Sequence, residues 1–365
     1  MARSLQKYIG EVVHLGPDYT VPSRFISNSV RFAGRASLVL ARRRWASDHS
    51  LFMSRRYSDV FSARLKNTDC DVIFAPNAST EIAHLETPIP IVYQTDLNWL
   101  NIVDYYPGFS SMSGFARRRG EIIEAAAIRR ARAVIYPSQW AGNTAIHHYG
   151  ADPSRVFCVP LGANIQEENV PPRERALQHP LTGQISLLWI GVDWKRKGGP
   201  EALDCLRELL ARGVDATLTV IGCIPPPRYN HPNMAVIPFL RKKNPEERKK
   251  LSELFLQANF FILPTHAEAF GVVFCEASAH GLPSIARNTG GVAGAVSHGK
   301  NGYLMPPEDD GHAYASTILE IIQNPDDYQR LVASSRDTWE KHLNWDAWGR
   351  AMKPIFESVV QRNRE

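Results

Sequence analysis

The chain has 365 residues, 44% of them hydrophobic, 22% charged and 10% aromatic, with 24 Gly and 25 Pro. This composition excludes a disordered, collagen-like or disulfide-scaffold protein, and the length suits two domains of about 150 residues each. The net charge of +5 is unevenly placed: residues 1–164 carry 19 Lys and Arg against 13 Asp and Glu, while the remainder has 23 against 24.

The predicted elements alternate along the chain. In the first half, strands are expected at 10–16 (GEVVHLG), 71–76, 90–95, 133–138 and 156–162, with helices at 115–130 and 139–149. In the second half, strands at 185–191, 216–222, 234–239, 259–264, 282–287 and 301–306 alternate with helices near 200–212, 245–258, 272–279 and 312–323. Short β-branched runs followed by Gly or Pro and then a helix indicate parallel strands buried on both faces. The fold class is therefore α/β, as two Rossmann-like, doubly wound domains facing across a cleft. Residues 1–164 form the first domain, 165–183 a linker rich in Pro and charge, and 184–344 the second domain. Trp345, Trp348, Met352, Ile355, Phe356 and Val359 recur at helical spacing, so 345–365 is a closing amphipathic helix.

Five dispersed cysteines (70, 158, 205, 223 and 275) without a C-x-x-C pair read as a reduced, cytoplasmic protein without a zinc site. No apolar run approaches the roughly 18 residues of a membrane span, and no signal peptide is visible. Arginine clusters at Arg42, Arg43 and Arg44, at Arg117, Arg118 and Arg119, and at Arg129, Arg130 and Arg132 suit an anionic membrane, an acidic substrate or a solvated helix face. No RNP-like, zinc-finger or basic-zipper pattern accompanies them, so no nucleic-acid partner is expected.

Neither G-x-G-x-x-G after a strand nor a P-loop occurs, which removes the standard nicotinamide and NTPase fingerprints. Two other stretches carry chemistry. In 260–276 a strand runs into a short loop holding Glu268, and Ala269, Phe270 and Gly271 then lead into a helix bearing Glu276. Open amides at a helix N-terminus suit a diphosphate, and Gly271 permits close approach. The two carboxylates suit the hydroxyls of a sugar and a ribose, or else a helix-dipole partner and a solvated Glu. In 189–199 a strand ends at Gly191, and the loop beyond carries Lys195, Arg196 and Lys197. Such cations neutralise a leaving diphosphate without a metal, or else face solvent.

The E-x7-E spacing of Glu268 and Glu276 lies in LPT-x-x-E-x-FG-x-x-x-x-EA-x-x-x-GLP. With GVDWKRKGG, NTGGVAGAVSHGKNGYLMPP and the 131–164 segment, it resembles the retaining, nucleotide-sugar-dependent glycosyltransferases of the GT-B fold, specifically the bacterial group-1 family. The resemblance implies that Arg196 and Lys197 hold the donor diphosphate and that Glu268 contacts the donor sugar. It further implies that the Phe270 and Gly271 amides sit near the distal phosphate, that Glu276 binds ribose, and that Phe239 and Leu240 frame the base. The closing helix is implied to cross back to the N-terminal domain. The implied partners are a nucleotide-sugar donor and a glycan, lipid-linked or small-molecule acceptor, with no metal or other cofactor. A soluble, cytoplasmic protein with peripheral contact to an anionic inner membrane face is compatible with the basic first half.

Two departures from the family stand out. Many members carry a His after the PIV strand at 90–95, where this chain has YQTD; Asp96 is the candidate catalytic residue there, orienting a hydroxyl or capping the helix at LNWL. The family's opening βα unit, roughly 20–40 residues, is not recognisable, so a true start upstream or a fragment is expected. A degenerate nucleotide-binding member, an epimerase and a phosphorylase are the alternatives. Asp69-Cys70-Asp71 precedes its strand and is expected to bind no metal. Trp99, Tyr105 and Tyr106 either stack on an acceptor or simply pack.

Overall fold

Ten of the eleven expected strands form, all in parallel sheets. The computed structural model describes residues 1–16 and 49–364, and the cluster at Arg42, Arg43 and Arg44 lies outside them. The chain divides into two units, Met1–Val159 with Gly349–Glu365, and Pro160–Trp348.

In the first unit, α1 (Ala2–Tyr8) and α2 (Leu51–Leu65) precede a four-stranded parallel sheet. Its strands are β1 (Ile73–Pro76), β2 (Ile91–Gln94), β3 (Ala133–Tyr136) and β4 (Val156–Cys158), paired in that order. Between them run α3 (Ser79–Ile82), α4 (Trp99–Ile102), α5 (Gly114–Arg130) and α6 (Gln139–His147). Every residue of β2 and β3 is buried, as continuous apolar runs require of central parallel strands. Ile73, Ile91, Tyr93 and Val134 pack against Ile123, Ala127 and Ile128 of α5 in one core.

The expected strand at 10–16 does not form. Among the described residues this segment pairs with no strand; Val13 is 55% exposed, and the Leu15 carbonyl accepts from Arg64 instead, at 2.5 Å. Residues that favour extended backbone make a strand only where a partner strand is there to pair with.

In the second unit, α7 (Arg173–Ala176) leads into β5 (Ile185–Ile190), α8 (Gly199–Ala211), β6 (Ala216–Ile221), β7 (Met234–Ile237) and α9 (Pro245–Gln257). Then come β8 (Phe260–Leu263), α10 (Val272–Ala279), β9 (Ser284–Arg287) and β10 (Gly302–Met305). Two further helices follow, α11 (Gly311–Ile322) and α12 (Pro325–His342). The six strands are ordered β10-β9-β8-β5-β6-β7. The chain winds one way from β5 and the other way from β8, so their carboxyl ends flank a topological switch point, the usual ligand crevice of such sheets.

The helix α12 was not expected from sequence. Its buried face is formed by Tyr328, Leu331, Val332, Ser335 and Arg336, at helical spacing but diluted by charged neighbours. Residues 165–183 belong with this second unit: Arg173 reaches Asp337 at 2.5 Å and Glu340 at 2.6 Å, both on α12. The last helix, α13 (Trp345–Arg364), starts in the second unit, while Gly349–Glu365 belongs with the first. There Gly349 lies against the Tyr8 ring, and Phe356 packs on Phe74 with ring centroids 5.8 Å apart.

Candidate active site

Both chemistry-bearing loops lie at the switch point, one after β5 and one after β8. Trp189, fully buried on β5, donates from its indole N–H to the Lys197 carbonyl at 3.1 Å and so shapes the first loop. The Gly191 amide donates to the Ile221 carbonyl at 2.9 Å, and a Cβ at this glycine would stand 3.0 Å from Lys197 Cγ. Arg196 is fixed at both ends. Its amide donates to Asp193 Oδ1 at 3.0 Å, and its guanidinium donates to the Ala267 carbonyl, in the other loop, at 2.8 Å. Its carbonyl accepts from the His266 amide at 2.7 Å, so the loops are stitched backbone to backbone.

Lys197 and Glu268 meet directly in an ion pair, with both side chains largely buried. The sequence assigns them to diphosphate and sugar separately; the fold places them against one another. Next to them Gly271 caps α10 in the left-handed region, at φ 88°, with a hypothetical Cβ only 2.5 Å from the Phe274 ring. Ala269, Phe270 and Gly271 thus form the entry to α10; the Phe274 amide turns back to the Gly271 carbonyl at 2.9 Å, and the amides ahead of it lie at the end of the helix whose dipole favours an anion. Phe270 is 1% exposed, so its ring belongs to the core and not to a ligand-facing surface.

Glu276 lies one turn into α10 and is 4% exposed. Burial pushes its carboxyl pKa up, opposed by the Lys242 ammonium and a backbone hydrogen bond from Asn164. Lys242 Nζ is 2.5 Å from Glu276 Oε1. Lys242 follows Phe239, which is 61% exposed, and Leu240, which is half-buried, in the segment after β7. Sequence reasoning missed this lysine, because a separation of 34 residues conceals the pair. It also missed Glu201, in the first turn of α8, which pairs with His266 at 2.6 Å and Arg287 at 3.3 Å. That cluster ties the loop after β8 to the end of β9.

In the first unit, Asp96 lies just past β2, and its amide donates to Asn77 Oδ1 at 3.4 Å. The cap of α4 is Asn98, which forms a capping box with Asn101, so the capping reading of Asp96 fails. Gln94, two residues earlier and 3% exposed, has an Oε1 with no partner among the described residues. Trp99 is 1% exposed and donates to the Arg117 carbonyl at 3.0 Å, which makes it core rather than a stacking surface. Tyr105 packs on Tyr106 and Trp140. Asp69 and Asp71 precede β1, at the amino end of the sheet.

Comparison with known proteins bears on both units. Residues 178–338 match the family model "Glycosyl transferases group 1", and residues 3–167 match "Glycosyltransferase Family 4". A D-inositol 3-phosphate glycosyltransferase of Corynebacterium efficiens is 28% identical over 240 residues, covering 59% of this chain and 54% of that one. A glycogen synthase of Mycobacterium tuberculosis is 26% identical over 197 residues, covering 52% and 46%. The chain spans about half the length of these curated relatives. Among solved structures, sucrose-phosphate synthase from Thermosynechococcus elongatus superposes with a TM-score of 0.64 at 18% identity, covering 85% of this chain and 79% of that one. The Anabaena protein HepE, in complex with UDP and glucose, gives a TM-score of 0.59 at 16% identity, covering 82% and 81%. With both halves matched and the fold shared, the chain belongs to the group 1 glycosyltransferases and has the GT-B architecture.

Proposed function

We propose that this protein transfers a glycosyl group from a nucleoside diphosphate sugar to an acceptor hydroxyl, with retention at the anomeric carbon and without a metal ion. The observation that carries the reading is the meeting of Arg196, Lys197 and Glu268 with the N-terminus of α10 at the switch point. In the reaction the bond from the sugar anomeric carbon to the diphosphate oxygen breaks, and the oxygen keeps the electron pair. Arg196, Lys197 and the α10 amides are suited to stabilise that charge, the role a metal plays elsewhere. The acceptor oxygen bonds to the carbon from the face just vacated, and its proton passes to the departing phosphate oxygen. Glu268 orients the sugar, Glu276 accepts from ribose, and Phe239 and Leu240 frame the base. Asp96 and its neighbours at the carboxyl end of β2 serve the acceptor side of the chemistry.

The purified chain should release nucleoside diphosphate from one of a panel of UDP-, GDP- and ADP-sugars, and the rate should persist in a chelator. A transferred product of inverted configuration, or turnover that requires an added divalent cation, would overturn those parts of the reading. Bound pyridoxal phosphate absorbance would point to a phosphorylase instead.

The acceptor is proposed to be anionic or carried on a lipid. On α5, Phe115 is 60% and Ile122 is 43% exposed, Arg118 is exposed, and the Arg119 guanidinium lies 3.8 Å from the Phe115 ring centroid. No helix among the described residues is long and apolar enough to cross a membrane. Basic and apolar groups exposed together on one helix suit the surface of an anionic bilayer. Co-sedimentation with anionic vesicles that weakens in high salt is expected, and equal binding to neutral vesicles would count against it.

A further inference from the structure

We propose that Lys242 is a positioning residue for the nucleoside half of the donor, keeping the Glu276 carboxylate charged and directed at a ribose hydroxyl. The inference rests on the reading of Glu276 as the ribose-binding residue.

Glu276 sits on α10 among Cys275, Ala277, Ser278 and Ala279, all buried. A carboxylate in such surroundings loses its hydration and tends to take up a proton unless a cation or hydrogen-bond donors replace the water. The groups around it are few. Lys242, from the segment after β7, places its ammonium 2.5 Å from Oε1. Asn164 supplies a backbone N–H. On the helix itself, burial holds the Cys275 thiol neutral, and His280 faces the Glu276 carbonyl, at 2.8 Å, not its carboxylate. Arg241 turns away to Glu247, at 3.7 Å, while Lys197 is engaged with Glu268. Among the described residues, Lys242 is therefore the cation that faces this carboxylate.

The lysine is held for the task. Its carbonyl accepts from Arg248 at 3.3 Å, and the Arg241 amide donates to Glu247 at 2.5 Å, so α9 pins the segment from which the ammonium extends. One ammonium on one oxygen leaves other lone pairs of the carboxylate open to a ribose hydroxyl. A hydroxyl bonded to an ionised carboxylate is held about twice as strongly as one bonded to a neutral carboxyl. Lys242 thus acts on the ligand through the charge state of Glu276.

The test is calorimetric titration of the wild type, Lys242→Met, Lys242→Arg and Glu276→Gln with UDP, GDP, ADP and their 2′-deoxy and 3′-deoxy forms. It runs from about pH 6 to about pH 9. The wild type should prefer a ribonucleotide over a deoxy form by about tenfold or more. Lys242→Met should lose most of that preference near neutral pH and regain it as the pH rises, while Lys242→Arg keeps it throughout. Circular dichroism confirms that each variant is folded. A wild-type preference in Lys242→Met at every pH overturns the inference, as does tighter nucleotide binding, which would mean that the ammonium blocks the site. If Glu276→Gln abolishes the preference while Lys242→Met does not, the ribose reading stands and the role of Lys242 falls. A wild type without any ribose preference sinks both.

Discussion

Gly198 lies so close to Pro264 that a Cβ at 198 would stand 2.0 Å from the Pro264 carbonyl oxygen. The glycine also sits in the left-handed region, at φ 72°, as the cap of α8. The loop after β5 therefore reaches its place beside the loop after β8 only with no side chain at this position. Gly198→Ala is expected to cost at least about 1–2 kcal/mol from backbone conformation alone, with the clash in addition. It should lower the melting temperature and reduce turnover together, and an unchanged melting temperature would refute this role.

Lys197 and Glu268 act as one unit because they touch. Lys197→Ala and Glu268→Ala are each expected to lower turnover by about 10²–10³ with the fold intact. The double variant should be little worse than the worse single one, since each substitution already breaks the shared pair. Steady-state kinetics alongside circular dichroism checks this; fully multiplicative losses would show independent roles.

Glu124 of α5 is fully buried and accepts from the Tyr93 hydroxyl at 3.0 Å. Burial pushes its pKa up to about 7 from an ordinary 4.5, with hydrogen bonds from Tyr93, Ser79 and the Trp99 backbone opposing. Between those values the folded chain keeps a proton that the unfolded chain has lost. Stability therefore falls as pH rises across that window and levels off above it. Glu124→Gln removes this dependence, so its stability relative to the wild type should improve by up to about 3 kcal/mol between about pH 5 and about pH 8. Denaturation midpoints for both proteins at the two pH values test this. A pH-independent difference would contradict it.

Arg336 and Arg173 both bind α12 to its surroundings, under opposite conditions of burial. Arg336 is 5% exposed and donates to the carbonyls of Pro171, at 3.0 Å, and Ala279, at 2.5 Å. Its loss strands two buried acceptors, and Arg336→Ala is expected to cost about 3 kcal/mol. The Arg173 side chain is 40% exposed, and Arg173→Ala should cost at most about 1 kcal/mol despite two ion pairs. Thermal melts of the two variants rank them, and the reverse order would show that the surface pairs dominate.

Much of the fold was legible because local patterns follow local physics. Apolar runs such as 185–190 and 260–263 became fully or largely buried parallel strands, and the spacing of Trp348, Met352, Phe356 and Val359 became the buried face of α13. The run at 10–16 misled because β-branched residues report a preference for extended backbone and say nothing about whether a partner strand is there. The helix α12 was hidden by charge: its apolar positions recur at helical spacing, yet Asp, Arg, Glu and Lys outweigh them in composition.

Residue types and their short-range spacing determined, from sequence alone, the parallel α/β class, the glycines that open α8 and α10, and the acidic and basic candidates of the site. Which of those candidates meet was decided by tertiary structure. Lys197 finds Glu268 across 71 residues and Lys242 finds Glu276 across 34, because β5, β7 and β8 run parallel and their carboxyl ends lie at the same end of one sheet. Strand order sets those distances, and strand order follows from how helices cover both faces of the sheet, which no window of sequence contains.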